Sequence, residues 1–310
     1  MKQKVKRLLA LVLTLALTLV STGACAQSSG LFYLVQGGRS TLTILGSIHV
    51  GSAEMYPLAP AILDTLADAD CLVLECDTES SEALSQTTQR MAYGMNDGLK
   101  KHVSPEVFAL VEQVSEKIGY PMSLLAVLKP WAIVSMLTME TTAAAMGVED
   151  LTEAASYGVE EQICTLAGDK PRLWLEETAQ QLDALDGMSD ELQSYLLETA
   201  CQSILDPSSI SGMDADTAKW PEWWAQGNGL AFADSYQKGL EQETQPELAQ
   251  EYHQRLVTQR NQHMARRLQE MLEGDQSCFA VIGLMHLVLP GDSVLSLLEQ
   301  MGYTVTQIAF

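Results

Sequence analysis

Thr41-Leu-Thr-Ile-Leu-Gly46-Ser-Ile-His49, near the start of the chain, and Cys278-Phe-Ala-Val-Ile-Gly283-Leu-Met-His286, near its end, are built to one plan. Each is a short apolar run followed by glycine, two further residues and a histidine. Runs of this length that are rich in β-branched residues and stop at glycine read as buried strands. After His49 come a loop holding Pro57, a helical pattern from about Leu58 to Leu66, and a second apolar run, Cys71-Leu-Val-Leu-Glu75. After His286 come a helical pattern from Ser293 to Met301, Gly302, and a closing run from Thr304 to Ile308. These are two βαβ-like units, each with a histidine just past the end of a strand. The expected fold is therefore α/β, with a central mixed sheet that brings both histidine loops to one edge, where ligands gather in open α/β sheets.

Working outward, Leu31-Phe-Tyr-Leu-Val and Thr41-Leu-Thr-Ile-Leu flank Gly37-Gly38 and read as a hairpin. The chain between the two units, about residues 100–275, reads as a large, mostly helical insertion. Ser104 and Pro105 open one helix and Gly119 stops it. Further helices are expected at 123–146, 178–186, 189–205, 221–239 and 246–273, with a short strand or loop at Arg172 to Leu175. Trp220, Trp223 and Trp224 read as packing rather than as a sugar platform.

The first 26 residues read as a targeting signal and not as part of the fold. Lys2, Lys4, Lys6 and Arg7 precede an apolar core from Leu8 to Val20 that falls short of the roughly 20 residues a membrane-spanning helix needs. Two processing routes are open. Ala24-Cys25-Ala26 suits signal-peptidase cleavage before Gln27, and Cys25 could instead become a lipidated N-terminus. Either route makes residues 27–310 a secreted or extracytoplasmic domain, attached to membrane only through an anchor at Cys25. The formal charge is −22, and loss of the basic leader leaves the remainder more acidic still. Such a surface repels phosphate backbones, so no nucleic-acid partner is expected. The cysteines beyond Cys25, namely Cys71, Cys76, Cys164, Cys201 and Cys278, show no C-x-x-C spacing. They read as small core hydrophobes, and in an oxidising compartment at most two bridges could form, with the pairing left open.

Gly46 and Gly283 allow a sharp turn or a close approach to a ligand as the chain leaves each strand, and His49 and His286 then project from loops held by rigid structure. Imidazole suits both metal ligation and proton transfer. The plainer reading is that each histidine caps its strand. Glu75 ends the strand next after His49, where a buried, ionised carboxylate needs a partner. Two histidines and one carboxylate form a familiar shell for a catalytic divalent metal; alternatively Glu75 is an exposed strand end or pairs with Arg260. His102, His253 and His263 read as residues of solvated helix faces, and Arg266-Arg267 as surface.

Gly46-Ser-Ile-His49-Val-Gly with Tyr56-Pro-Leu, Leu72-Val-Leu-Glu75, Gly158-Val-Glu160, Leu175-Glu176 with Gln181, Arg260-Asn261 with Met264, and Gly283-Leu-Met-His286-Leu before Gly302-Tyr303 together resemble the TraB/PrgY/GumN family, over most of the chain beyond the leader. That family is related to the Tiki proteins and more distantly to the erythromycin-esterase and ChaN-like folds. The resemblance implies a metal-dependent peptidase acting on a peptide or protein substrate. His49, Glu75 and His286 would hold or face a divalent metal ion such as manganese or cobalt. Arg260 and Asn261 would line the same cleft, with Arg260 stabilising an oxyanion. Glu160 stands where many relatives have aspartate, and Glu176 would support the site; either could instead cap a helix. The same resemblance leaves room for two other functions. Relatives that shut down a secreted peptide signal suggest a non-enzymatic, sequestering protein, and the ChaN likeness suggests haem binding.

Overall fold

A computed structural model describes residues 27–210 and 212–310. The leader and Cys25 lie outside the described residues. Six strands form one mixed sheet: β1 (Phe32–Gln36), β2 (Leu42–Ser47), β3 (Cys71–Leu74), β4 (Arg172–Trp174), β5 (Cys278–Gly283) and β6 (Thr304–Ile308), in the order β4-β3-β5-β2-β1-β6. β1 and β2 make the expected antiparallel hairpin, and β6 pairs antiparallel with β1. β2, β5, β3 and β4 run parallel.

The two βαβ-like units interleave. β5 lies between β2 and β3, the two strands of the first unit, and β2 and β1 lie between β5 and β6, the strands of the second. Interleaving makes β2 and β5 direct neighbours, with Gly46 opposite Ile282 and Ser47 opposite Gly283. The two glycine-histidine segments therefore leave the sheet side by side, on the same edge.

β2 is buried along its whole length and β5 at all but its last residue, as expected of strands covered on both faces. The cover includes Ile62 and Leu66 of the helix Pro60–Asp68, Met264, Ala265, Leu268 and Leu272 of Gln259–Leu272, and Val294 and Leu298 of Val294–Gln300. Each fully buried aliphatic side chain of this kind contributes roughly 1.5–3 kcal/mol. A second core joins helices Pro105–Ile118, Pro130–Ala145 and Asp190–Leu205 through Val111, Val114, Ile133, Leu137 and Leu197. The helical insertion thus has its own interior, whereas Gln259–Leu272 belongs to the sheet core despite its place in the mostly helical stretch.

Three expected helices are interrupted. The run 123–146 is divided into Met122–Leu125 and Pro130–Ala145, because the residue before a proline is pushed out of the helical region. The run 221–239 breaks after Trp220–Ala225, and Asn228 caps a new helix, Gly229–Gln242. From Pro246 to Leu272 the chain stays helical but widens into a π-turn at Gln254–Thr258. Helices Ser81–Met91, Leu151–Ser156 and Val159–Ala167 were not anticipated. Among the described residues no helix is long and apolar enough to cross a membrane.

Candidate functional site

Glu75 follows the last residue of β3, and its carboxylate turns toward the neighbouring strand end, where the Gly283 amide donates to its Oε1 at 2.6 Å. A Cβ on Gly283 would lie 2.9 Å from that oxygen, so glycine serves the close approach of a carboxylate. It does not make a sharp turn: Gly46 lies within β2 and Gly283 ends β5, and neither takes a positive φ.

Arg260 comes in from the helix above the sheet edge and binds two carboxylates. Its Nη2 donates to Glu75 Oε2 at 2.6 Å and lies 2.8 Å from Glu176 Oε2, to which Nε also donates at 2.9 Å. Glu176 sits beside Glu75 because the β3–β4 pairing continues past the strands, the Glu176 amide donating to the Glu75 carbonyl at 2.8 Å. All three side chains are nearly buried. Burial alone would raise both carboxyls. At Glu75 the guanidinium, aided by His286 and the Gly283 amide, outweighs burial and holds the group down to about 2. At Glu176 burial wins over the same guanidinium, and its pKa is raised.

His286 lies in the helical turn Leu284–Val288 and is buried. Its Nδ1 is 2.6 Å from Asn261 Oδ1. An amide oxygen only accepts, so Nδ1 carries the proton and Nε2 presents a lone pair. Nε2 faces Arg260 Nη1 at 3.2 Å. Burial first, with the Arg260 charge, lowers the imidazole to about 4, so it is neutral near pH 7. Asn261, wholly buried, is fixed by donating to the Asp292 carbonyl at 2.8 Å.

His49 stands two residues past β2, with its ring largely exposed at 73%. Its Nδ1 lies 3.3 Å from Glu160 Oε1, which also accepts from Ser47 Oγ at 2.6 Å. Glu160 raises the pKa of the imidazole above its ordinary value. Burial would lift the Glu160 carboxyl, but His49 and Ser47 hold it low. Glu160 Oε2 is buried and has no hydrogen-bond partner. The helix carrying Glu160 is docked on the His49 loop by the Val159 amide, which donates to the Ile48 carbonyl at 3.0 Å. At Gly158 a Cβ would lie only 2.3 Å from the His49 carbonyl oxygen. Gly158→Ala is expected to push helix and loop apart at a cost of about 1–3 kcal/mol, read as a lowered urea midpoint with an unchanged slope.

The structure therefore joins Glu75, Arg260, Glu176, His286 and Asn261 in one bonded network, with the His49–Glu160 pair beside it. Glu160 and Glu176 act here through their side chains, not as helix caps. Among the described residues no three His, Cys, Asp or Glu side chains stand ready as a ligand set for a metal. The chemistry of the donors nonetheless suits a cation: two carboxylates share one guanidinium, one imidazole is neutral with its lone pair inward, and one oxygen of a third, buried carboxylate, Glu160, lacks a partner. His49, Glu75 and Glu160 line a cleft of about 580 Å³ whose wall adds Asp77, Glu79, Glu161 and the exposed Trp174.

Several supporting residues were not anticipated. The indole of fully buried Trp224 donates to the Gly46 carbonyl at 2.7 Å, fixing the start of the first histidine segment. Trp220 and Trp223 pack on Phe232, as core residues do. Asp292, which holds Asn261 through its carbonyl, also accepts from Thr258 and faces His253 Nε2 at 3.4 Å. His253 is thus not a solvated residue, since Tyr236 also meets its Nδ1 at 2.8 Å. His102 is exposed as expected, although its ring also lies 3.0 Å from Asp97 and stacks on Tyr93. His263 is partly buried and lines a second cleft with Glu176, whereas Arg266 and Arg267 are exposed as expected. Ser47 could have been found as a hydroxyl inside the glycine-histidine segment; Asp292 shows its role only through tertiary contact.

Two curated relatives are described as "Uncharacterized protein YbaP". The one from Escherichia coli (strain K12) is 25% identical over 209 residues, covering 66% of this chain and 72% of that protein. The one from Shigella flexneri is 25% identical over 203 residues, covering 64% and 70%. No solved structure matches the chain. The sequence profile of the TraB/PrgY/gumN family matches residues 31–307, which span both histidine segments and everything between them. The chain belongs to the TraB/PrgY/gumN family.

Proposed function

We propose that this chain is an extracytoplasmic, metal-dependent hydrolase acting on a peptide or related acyl bond. The observation that carries this reading is a cleft lined by His49, Glu75 and Glu160, in which Glu160 Oε2 is buried without a hydrogen-bond partner and Glu75 is linked through Arg260 to His286. His49, His286, Glu75 and Glu160 would hold a divalent ion, manganese or cobalt, which when bound supplies electrophilic polarisation of a substrate carbonyl. Arg260, fixed by two carboxylates, places a preorganised positive charge where negative charge develops on the carbonyl oxygen. Asn261 keeps His286 in one tautomer. Glu176, contacted by both Nε and Nη2 of Arg260, keeps the guanidinium in that orientation.

Tag-free protein titrated with manganese or cobalt is expected to bind the ion and to melt several degrees higher at saturation. His49→Ala and His286→Ala should remove both the bound metal and the shift. Absence of metal by elemental analysis, with peptide hydrolysis unchanged in both variants, would overturn the reading. The acidic cleft wall gives a second expectation: a lysine-rich peptide should bind better than an acidic one of equal length, and the advantage should shrink as salt rises. Equal affinity for the two peptides would count against the cleft as the binding surface.

One observation favours a non-enzymatic binding protein instead. Arg260 already neutralises Glu75 and contacts His286, so the network is internally satisfied without an ion. Recovery of intact peptide after stoichiometric binding, with and without added metal, would establish that alternative.

A further inference from the structure

Cys71 and Cys278 are the first residues of β3 and β5, and they stand directly opposite each other in the parallel register. Residues so paired point to the same face of the sheet, on strands roughly 4.8 Å apart. That spacing falls within the Cα separation, about 4.4–6.8 Å, that a disulfide spans. Their sulfurs are 3.1 Å apart, inside ordinary van der Waals contact, and both side chains are buried. The other cysteines have different surroundings. Cys76 donates to Gln181 Oε1 at 2.6 Å, and Cys201 is enclosed in the core of the helical insertion.

We propose that Cys71 and Cys278 form a cross-strand disulfide when the chain meets a disulfide oxidant. The two thiols lose two protons and two electrons as the sulfur–sulfur bond forms, and the oxidant's disulfide is cleaved to two thiols through a mixed-disulfide intermediate. Only a small side-chain rotation is needed, because the sulfurs must close by about 1 Å to reach the roughly 2.0 Å of the bond. The bridge would close a loop across a separation of 207 residues, the long-loop case in which cross-linking constrains the unfolded chain most. It would also act on the far edge of the sheet. β3 and β5 would be tied at their starts by the bridge and at their other ends by the Gly283 amide on Glu75. Sliding of one strand past the other, which would pull Glu75 away from the His286 segment, would then require breaking both ties.

The experiment uses the full chain and does not depend on hydrolase activity. Protein is equilibrated with oxidised and reduced glutathione in urea below the unfolding midpoint, so that local opening admits the oxidant. It is then quenched with acid, alkylated in denaturant, digested without reduction and mapped by mass spectrometry. The expected product is a peptide pair joined through Cys71 and Cys278. The oxidised protein should melt roughly 5 °C or more above the reduced form, a difference that dithiothreitol abolishes and that Cys278→Ala never shows. Alkylation of both residues, glutathione left on either one, or a bridge from either to another cysteine would overturn the proposal. The peptide map is read on the natural sequence, so the outcome stands even if the alanine variant folds poorly.

Discussion

Arg260→Met is expected to destabilise the protein by about 3–5 kcal/mol, because it leaves buried carboxylates without their counter-charge. Glu75 and Glu176 are both almost closed to solvent, and Arg260 supplies the guanidinium that pairs with each. The Gly283 amide still serves one oxygen of Glu75, but a single amide does not offset a desolvated charge. For a chain of this size the loss corresponds to a melting temperature roughly 6–15 °C lower. Relief should follow from neutralising the carboxylates. Glu75→Gln with Glu176→Gln in the Arg260→Met background should recover much of the loss, since a buried ion cluster exchanged for neutral groups of like shape often costs little. Urea denaturation of the single and triple variants measures both effects. If the single substitution costs under about 1 kcal/mol, water or an ion already compensates the carboxylates and the network is not the anchor of the sheet edge.

Much of this arrangement was legible in the sequence, and the limits of that legibility have physical causes. The strands could be located because their apolar runs are bounded by glycine and polar residues, and the hairpin followed from Gly37-Gly38 between two β-rich runs. Strand order was not legible. Which strand neighbours which depends on how the covering helices pack, and the insertion of β5 between β2 and β3 leaves no local signature. The glycine-histidine segments pointed correctly to one shared edge, and of the two reasons open for the glycines, a sharp turn or a close approach, Gly283 serves the close approach, that of the Glu75 carboxylate. The pairing of Glu75 with Arg260 was one of the open alternatives, and the structure shows it. The missed helix Ser81–Met91 did carry a signal, since Ser80 is a regular N-cap whose hydroxyl accepts from the Ala83 amide. Its sparse apolar residues, with Ala83 alone buried, hid the periodicity.

Asp186→Ala is expected to loosen the attachment of the helical insertion to the site by about 2–4 kcal/mol. Asp186 ends the helix Thr178–Asp186, where the helix dipole disfavours a negative charge. Three neighbours outweigh that: Lys129 donates to both oxygens at 2.8 Å, the Trp131 indole donates at 3.1 Å and Arg90 Nε donates at 3.0 Å. One carboxylate thus ties the end of Ser81–Met91, the start of Pro130–Ala145 and the end of its own helix. Burial would raise its pKa, but Lys129 and Arg90 overcome burial and lower it. A carboxyl depressed in the folded state contributes stability above its unfolded value of about 3.9, and that contribution is lost as pH falls through the folded value. The urea midpoint of Asp186→Asn should therefore lie well below that of the natural protein at pH 7, and the gap should narrow progressively as pH falls below about 4. A gap that does not narrow with falling pH would mean that shape, not charge, holds the junction. The consequence reaches the cleft, because the same helix starts beside Glu176, where Thr178 donates to the Asp77 carbonyl at 2.7 Å and Gln181 accepts from Cys76. A helix freed at its Asp186 end would carry those contacts with it, so if the cleft binds peptide as proposed above, that binding should weaken in Asp186→Ala even though the substitution lies outside the bonded network around Arg260.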